Sequence, residues 1–421
     1  MNKFCSSIFF VFFIFIVSSL NAQQITCRIK GKIIDRKSKQ LILLPETEDP
    51  RFNGIKIKIK DGEFDYAFTV VDIIKYNLIF EDELQKGTWL PITFFPENGD
   101  IEFTLYPIEK SKNNHVQGGI LNKKMFEYEH QSDSIFTPLK KPYTILLDSL
   151  SKADAYFSSK AKKNREQLSA TKDQFLESKL YRERDELQNS GEIYSKEASR
   201  LIHIVDSIDR LRMYWQQEYI LSNIDIFSLS LIYSSLKRYN QLKKGVDITF
   251  INDVFQKFEL KFAKNPYVTI ISQMLYAINK LKIGSPYIDF EAPTPDGKIV
   301  RLSDSIQGKV ALIDLWASWC GPCRTLSKSM IPVYEKYKAK GFVLIGVACE
   351  FKNTNAFKAS LERDKYPWLN LIELDNRNRI WSKYNISGSG GSTFLVDKNG
   401  LIIAIHPDAE ELDKLLQEIL K

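Results

Sequence analysis

The chain has 421 residues, which excludes a single small module and, at about 150 residues per domain, predicts close to three domains. Hydrophobic residues make up 44% and aromatic residues 12% of the chain, enough apolar material for packed cores, which excludes global disorder. The net charge of +7 is diluted among 26% charged residues of both signs, so it does not indicate a nucleic-acid partner.

Residues 1–22 have the pattern of a secretory signal peptide. Lys3 supplies a positive start, residues 8–17 form an unbroken apolar run, and Ala22 is a small residue before the expected cut. The run is too short to favour a lasting transmembrane helix, although an uncleaved leader would keep the protein associated with the membrane. We therefore expect export to the periplasm or another extracytoplasmic, oxidising compartment.

Residues 23–118 are expected to form a small antiparallel β-sandwich domain. Alternation of Ile and Lys over 55–60, the turn Asp61-Gly62 and alternating aromatic residues over 64–68 predict one hairpin. Residues 92–95 and 101–105, joined by a Pro-Glu-Asn-Gly turn, predict a second.

Residues 119–283 have a helical period and contain no chemical motif. One apolar stripe at three- and four-residue spacing consists of Leu201, Ile204, Ile208, Leu211 and Trp215. Further stripes lie at 227–236 and 270–281, and the charged run 160–184 is expected to be a solvated face. We expect a scaffold of packed amphipathic helices, with a partner-binding role as the alternative.

Residues 284–421 alternate between strand and helix patterns, which predicts an α/β domain. Short apolar runs at 310–315 and 342–348, with a helical segment between them, indicate a βαβ unit with strands buried on both faces. Residues 394–396 and 402–405 flank an Asn-Gly turn and predict a hairpin. Asp408 is expected to cap a closing helix.

Two cysteines lie where the first of these buried strands ends and a helix begins. Cys320 and Cys323 are close enough in sequence to form a small redox-active disulfide ring, and the positive end of the helix dipole favours the thiolate of the first. Cys320 is therefore the expected nucleophile. Cys323 would attack the mixed disulfide formed on Cys320 and release the product. Pro322 stiffens the ring in the first helical turn.

Two other uses of such cysteines are disfavoured. Cys-x-x-Cys can be half of a zinc site, but zinc needs two more ligands, the sequence has no second such pair, and its four histidines are scattered. A peroxidatic cysteine is expected to have a Thr three residues before it, but Ala317 occupies that position relative to Cys320. We therefore expect no metal and no cofactor.

The residues around the cysteines resemble a known family. Residues 311–324 read Ala-Leu-Ile-Asp-Leu-Trp-Ala-Ser-Trp-Cys-Gly-Pro-Cys-Arg and are similar to the active-site strand and helix start of thioredoxin-fold proteins. Phe-Glu-Ala-Pro at 290–293 and Asp-Gly-Lys at 296–298 resemble the lead-in of the TlpA-like and ResA-like periplasmic thiol-disulfide oxidoreductases. The resemblance covers 284–421 and implies a thioredoxin-like fold. More faintly, the preceding parts resemble multidomain exported members whose front domain has no assigned activity.

The resemblance also implies roles for two acidic residues. Asp314 takes the position of a buried carboxylate near the second cysteine, where it can accept that thiol's proton. Glu350 resembles the active-site glutamate of ResA-like proteins, the alternative being a surface glutamate at a strand end. Cys349 is expected to be packed and inert, with a third redox thiol as the alternative, and Cys27 is expected to be a free or packed thiol.

One position departs from the family. Thioredoxin-fold proteins usually carry a cis-proline just before the strand that faces the active site, and Gly391 stands there. Glycine does not enforce the proline geometry, so looser or different substrate docking is expected. The residues expected to contact the substrate are Trp319, Gly321, Pro322, Gly391 and Ser392.

Together these features favour an exported thiol-disulfide oxidoreductase. By resemblance, the Gly-Pro pair between the cysteines indicates a reductant of disulfide-bearing proteins, which in an oxidising compartment needs a separate membrane electron donor. One alternative is a non-catalytic binding protein that keeps the thioredoxin fold as a docking platform. Another is an oxidase or isomerase of the same fold.

Overall fold

The structure is a computed structural model that describes residues 24–51, 54–242, 245–386 and 390–421. The predicted signal peptide, residues 1–22, lies outside the described residues. Within the residues that the structure describes, no helix is both long and apolar enough to cross a membrane.

The N-terminal part consists of two sheets packed face to face. Its elements are β1 (Ile25–Ile33), β2 (Gln40–Pro45), β3 (Ile55–Lys58), β4 (Glu63–Val70), β5 (Tyr76–Phe80), α1 (Glu81–Gln85), β6 (Ile92–Phe94), β7 (Gly99–Leu105), a 3₁₀ helix (Ile108–Asn113) and β8 (His115–Gln117). One sheet has the strand order β4-β1-β7-β8 and the other β3-β2-β5-β6. The expected sandwich is confirmed, and its strand pairs are antiparallel except for β1 and β7, which run parallel.

The two predicted hairpins are wrong as pairings. Beyond a single bridge between Lys60 and Glu63, β3 pairs with β2 while β4 pairs with β1 in the other sheet. Likewise β6 pairs with β5, and β7 pairs with β1 and β8. Each turn carries the chain from one sheet to the other, because this arrangement puts the apolar residues of both strands into one shared core. In that core the rings of Phe94 and Phe103 meet edge to face at 5.2 Å.

The middle of the chain is helical, as predicted. Its helices are α2 (Ile120–Lys152), α3 (Ser159–Ala170), α4 (Gln174–Ser190), α5 (Lys196–Ser222), α6 (Ile226–Leu242), α7 (Ile248–Phe262) and α8 (Pro266–Lys280). The run 160–184 is not purely a solvated face, because Leu180 is buried in it. Arg182 also forms ion pairs with Asp408 at 2.7 Å and Glu410 at 3.0 Å.

The C-terminal part has the predicted thioredoxin-like fold. Its elements are β9 (Glu291–Pro293), β10 (Ile299–Arg301), α9 (Leu302–Ile306), β11 (Val310–Trp316), α10 (Gly321–Ser329), α11 (Ile331–Tyr337), a 3₁₀ turn (Lys338–Lys340), β12 (Phe342–Glu350), α12 (Asn355–Asp364), β13 (Leu369–Leu374), α13 (Ile380–Lys383), β14 (Ser392–Val396), β15 (Ile402–Ile405) and α14 (Ala409–Ile419). The main sheet has the order β13-β12-β11-β14-β15, in which β11 and β12 are parallel and β14 and β15 form the predicted hairpin. The side chain of Asp408 accepts the N–H of Glu411 and caps α14, as predicted.

The helical part joins the other two parts of the chain. Helix α4 packs against α10, and α8 packs against α13. On the side of the sandwich, Tyr267 of α8 donates its hydroxyl proton to the buried carboxylate of Glu46, which follows β2, and accepts the backbone N–H of Lys75 at 2.9 Å. The ammonium group of Lys75 lies 3.5 Å from the same carboxylate. One helix therefore contacts both the sandwich and the C-terminal part.

We expect Tyr267→Phe to weaken this junction. Without the hydroxyl, the carboxylate of Glu46 loses a buried donor and the N–H of Lys75 loses its acceptor, which should lower the free energy of unfolding by about 1–3 kcal/mol. Urea denaturation followed by fluorescence measures this change. Tyr276→Phe on the same helix is the matched control, because that ring is 56% exposed. Equal effects of the two substitutions would contradict the expectation.

Candidate functional site

The two cysteines lie at the start of α10, directly beyond the buried strand β11. Cys320 is the N-cap residue of this helix, and its Sγ accepts the backbone N–H of Cys323 at 3.2 Å. In the structure the two are joined by a disulfide bond. Cys320 is 7% exposed, whereas Gly321 and Pro322 beside it are exposed. The helix N-terminus favours negative charge on Cys320.

Gly391 contacts the second cysteine through its backbone. Its N–H donates to Sγ of Cys323 at 3.1 Å. A Cβ atom added to Gly391 would collide with the carbonyl oxygen of Leu315 and lie 3.1 Å from the same sulfur. A proline at this position has no N–H and could not make this hydrogen bond. The departure from the family pattern therefore adds a donor to the sulfur of Cys323.

Asp314 is buried in the middle of β11, below the active-site helix. Its Oδ2 accepts a hydrogen bond from the hydroxyl of Ser327 at 2.6 Å, and that hydroxyl lies 3.0 Å from the carbonyl oxygen of Cys323. Burial raises the pKa of Asp314 to about 7, although the bond from Ser327 acts in the opposite direction. The carboxyl group can therefore gain and lose a proton near neutral pH, and it is bonded to Ser327, which lies one helical turn after Cys323.

Glu350 is the last residue of β12 and is buried. One of its carboxylate oxygens accepts the backbone N–H of Ser318 at 2.7 Å, and the other accepts the Ser318 hydroxyl at 2.7 Å. Burial raises the pKa of Glu350, partly offset by these two bonds. The position excludes the alternative of a surface glutamate, and its contacts hold the loop that leads to Cys320.

The remaining expected contact residues differ in accessibility. Trp319 is 38% exposed, its Nε1 donates to the carbonyl oxygen of Cys349 at 3.1 Å, and its ring stacks on Phe351 at 5.5 Å. The side chain of Ser392 is buried, and its hydroxyl lies 3.2 Å from Nδ1 of His406. Trp319 therefore offers an accessible ring beside Cys320, whereas Ser392 is buried and paired with Leu315 in the sheet.

Sequence reasoning missed a set of buried ionic contacts that fix α10. Asp364, at the end of α12, pairs with Arg324 at 2.7 Å and Lys328 at 3.2 Å, both on α10. Burial alone would raise the pKa of Asp364, but hydrogen bonds from Arg324, Lys328 and Arg363 lower it well below its usual range. No local pattern marks Asp364, because its partners on α10 lie far away in the sequence.

Among the residues that the structure describes, two cysteines outside the motif are buried and free. Burial raises the pKa of the Cys27 thiol to about 11 and that of the Cys349 thiol far above its usual range. Low thiolate content disfavours Cys349 as a third redox group. In the described parts of the chain, no group of three or more His, Cys, Asp or Glu side chains could hold a metal ion.

Comparisons with known proteins concern the same third of the chain. Residues 283–405 match the model of the AhpC/TSA family. The thiol-disulfide oxidoreductase ResA of Bacillus cereus is 28% identical over 144 residues, covering 33% of this chain and 80% of that protein. ResA of Geobacillus kaustophilus is 29% identical over 156 residues, covering 36% of this chain and 86% of that protein. The expected similarity to ResA-like thiol-disulfide oxidoreductases is confirmed for this third.

Solved structures show likeness over the same region. The thioredoxin domain of a thiol-disulfide oxidoreductase from Bacteroides vulgatus is 26% identical, with 34% of this chain and 100% of that chain covered and a TM-score of 0.31. A thiol:disulfide interchange protein from a Bacteroides species is 26% identical, with 33% of this chain and 91% of that chain covered and a TM-score of 0.31. The family match begins at residue 283, after the sandwich and α2–α8.

We expect Asp314→Asn to remove a pH-dependent loss of stability. The native state binds the proton up to about pH 7 while the unfolded state releases it near pH 4, so wild-type stability falls between these values as pH rises. The loss corresponds to about 4 kcal/mol at most, and the neutral amide should not show it. Urea denaturation of both proteins at pH 5, 6, 7 and 8 measures the difference. Parallel stability curves would contradict a raised pKa at Asp314.

Gly391→Ala should disturb both the loop and Cys323. The added methyl group must displace the loop from Leu315, which costs about 1–3 kcal/mol and lengthens the hydrogen bond to Sγ. The matched control is Gly390→Ala, because a Cβ there meets no atom within 4 Å. Thermal unfolding and the rate of disulfide reduction should change only in the first variant. Identical behaviour of the two variants would show that the close approach at Gly391 is not required.

Proposed function

We propose that the protein is an exported reductant of protein disulfides, because its C-terminal third has a thioredoxin-like fold and is similar to thiol-disulfide oxidoreductases. The observation that carries this proposal is the placement of Cys320. Its sulfur is at the N-cap of α10, receives the N–H of Cys323, and lies beside the exposed Gly321 and Pro322. A thiolate in this position is stabilised and can be reached by another protein.

The proposed reaction proceeds by two exchanges of sulfur bonds. In the reduced enzyme the thiolate of Cys320 attacks one sulfur of the substrate disulfide, that S–S bond breaks, and the released substrate thiolate takes up a proton. The thiolate of Cys323 then attacks Sγ of Cys320 and releases the second substrate thiol. The substrate gains two electrons and two protons, and the enzyme ends as the Cys320–Cys323 disulfide seen in the structure.

Asp314 and Gly391 support the second exchange. Cys323 must lose its proton before it attacks, and the carboxyl group of Asp314, with a pKa of about 7, can accept a proton at neutral pH. The N–H of Gly391 is directed at the sulfur of Cys323 and favours negative charge there. Glu350 acts at a distance from the sulfur by holding Ser318 and thereby the approach to Cys320.

The direction of the reaction and the location of the protein belong to the same proposal. The leader-like residues 1–22 support export, and an exported reductant loses its electrons in an oxidising compartment. A separate donor in the membrane must therefore return two electrons to the cysteine pair. The substrates are proteins that carry disulfides.

We expect Cys320→Ser to reduce insulin with dithiothreitol no faster than dithiothreitol alone, because the attacking sulfur is lost. Cys323→Ser should accumulate a mixed disulfide on Cys320, since the resolving sulfur is absent. Turbidity of precipitating insulin chains measures the first outcome, and mass spectrometry after acid quenching measures the second. Cys349→Ala is the control and should retain activity, because that thiol is buried and outside the pair. Wild-type activity in Cys320→Ser would overturn the enzymatic proposal.

The equilibrium potential of the Cys320–Cys323 pair tests the direction separately. The reduction potential of thioredoxin is about −270 mV, and we expect a potential in that range for this pair. Titration against glutathione, with the reduced fraction determined by alkylation and mass spectrometry, measures it. A potential well above about −200 mV would instead assign the protein to the oxidases or isomerases.

A further inference from the structure

The loop after β2 extends from the sandwich to the redox site. Its Arg51 places the guanidinium group over the aromatic rings of Trp319 and Phe351, with distances of 5.1 Å and 4.7 Å to the ring centres. Trp319 directly precedes Cys320. A residue of the N-terminal part, outside the region 283–405 that matches the family model, therefore contacts the aromatic group next to Cys320.

Trp319 is well placed to transmit this contact. Its indole N–H is bonded to the carbonyl oxygen of Cys349, and its ring lies 6.1 Å from that of Trp381 as well as on Phe351. Arg51 lies over both stacked rings and is attracted to their faces as a cation. The indole is thus contacted both by residues of the C-terminal part and by Arg51.

Two sets of contacts hold the loop that carries Arg51. The carboxylate of Asp49 accepts the backbone N–H of Arg51 at 2.9 Å, and its two oxygens accept Nε at 2.9 Å and Nη2 at 2.6 Å. At the start of the loop, Glu46 is buried and bonded to Tyr267, while its carbonyl oxygen lies 3.3 Å from Nζ of Lys237. The start of the loop is therefore anchored on α6 and α8, and within the loop Arg51 is held by Asp49.

We propose that Arg51 is a positioning residue for protein substrates. It holds Trp319 in the orientation in which a polypeptide that carries a disulfide docks beside Cys320. The side chain of Arg51 is 31% exposed and Trp319 is 38% exposed, so the incoming chain can touch the pair. Asp49 neutralises the charge of Arg51. The guanidinium group and the indole ring therefore offer flat surfaces to a polypeptide rather than a binding site for an acidic ligand. This inference rests on the proposed function.

The test compares a large and a small disulfide. We expect Arg51→Ala to raise KM for insulin about three- to tenfold with a smaller change in kcat, since docking and not sulfur exchange is affected. The change should be smaller for bis(2-hydroxyethyl) disulfide, which has no polypeptide to dock. Arg51→Lys should recover part of the loss, because an ammonium group keeps the attraction to the rings but cannot form the fork with Asp49.

Two controls separate positioning from general damage. Arg28→Ala removes an exposed arginine of the same sandwich, paired with Asp65, and should leave both substrates unaffected. In a Trp319→Ala background, Arg51→Ala should add no further change, because its effect passes through the indole. Thermal unfolding confirms that each variant is folded.

The outcomes distinguish this inference from the proposed function. Equal losses for insulin and the small disulfide, or an Arg51→Ala effect that persists without Trp319, would overturn the role of Arg51 alone. An unchanged KM for insulin in Arg51→Ala would do the same. A wild-type protein that reduces neither substrate would instead overturn the proposed function, and the inference with it.

Discussion

The burial of strand β11 on both faces is the constraint on which the redox site depends. Every residue of the strand is buried, between one apolar cluster on each side of the sheet. The strand cannot shift by one residue without exchanging the side chains that face the two clusters. Its end therefore determines where α10 begins, and with it the place of Cys320 at the helix N-terminus. The same strand carries Asp314 into the core, where a charged carboxylate is costly.

The two buried acids of the site differ in hydrogen bonding. Glu350 receives two bonds from Ser318, which oppose the increase in its pKa caused by burial and connect it to the loop before Cys320. Asp314 receives one bond, from Ser327, and has a pKa of about 7. Burial raises the pKa of both carboxyl groups, and a serine bond acts against it in each case. One acid thus contacts the loop that leads to Cys320, and the other contacts α10 through Ser327.

Sequence reasoning succeeded where the determining contacts are local. The strand of Asp314, the start of α10 and the hairpin of β14 and β15 follow from apolar runs, capping and turn residues within a few positions. It failed where a turn joins strands of different sheets, because the pattern over 55–68 is the same for a hairpin and for a crossing between sheets. Arg51 and Asp364 could not be found for a similar reason. The rings that Arg51 contacts and the α10 cations that pair with Asp364 are remote from them in sequence, and a charged residue in a loop or at a helix end has no distinctive pattern.

With Gly391 in place of the usual proline, the backbone conformation at this position must be restricted by neighbouring residues. Proline restricts a loop by its own ring, whereas glycine accepts whatever conformation the surroundings impose. Here the carbonyl oxygen of Leu315 and the sulfur of Cys323 leave no room for a side chain. Helix α8 packs on α13 just before this loop, and residues of α6 and α8 line a cavity of about 420 Å³ that borders Gly391. Helical residues therefore lie across this cavity from Gly391, whose N–H contacts the sulfur of Cys323, and α4 packs against the helix that carries that cysteine.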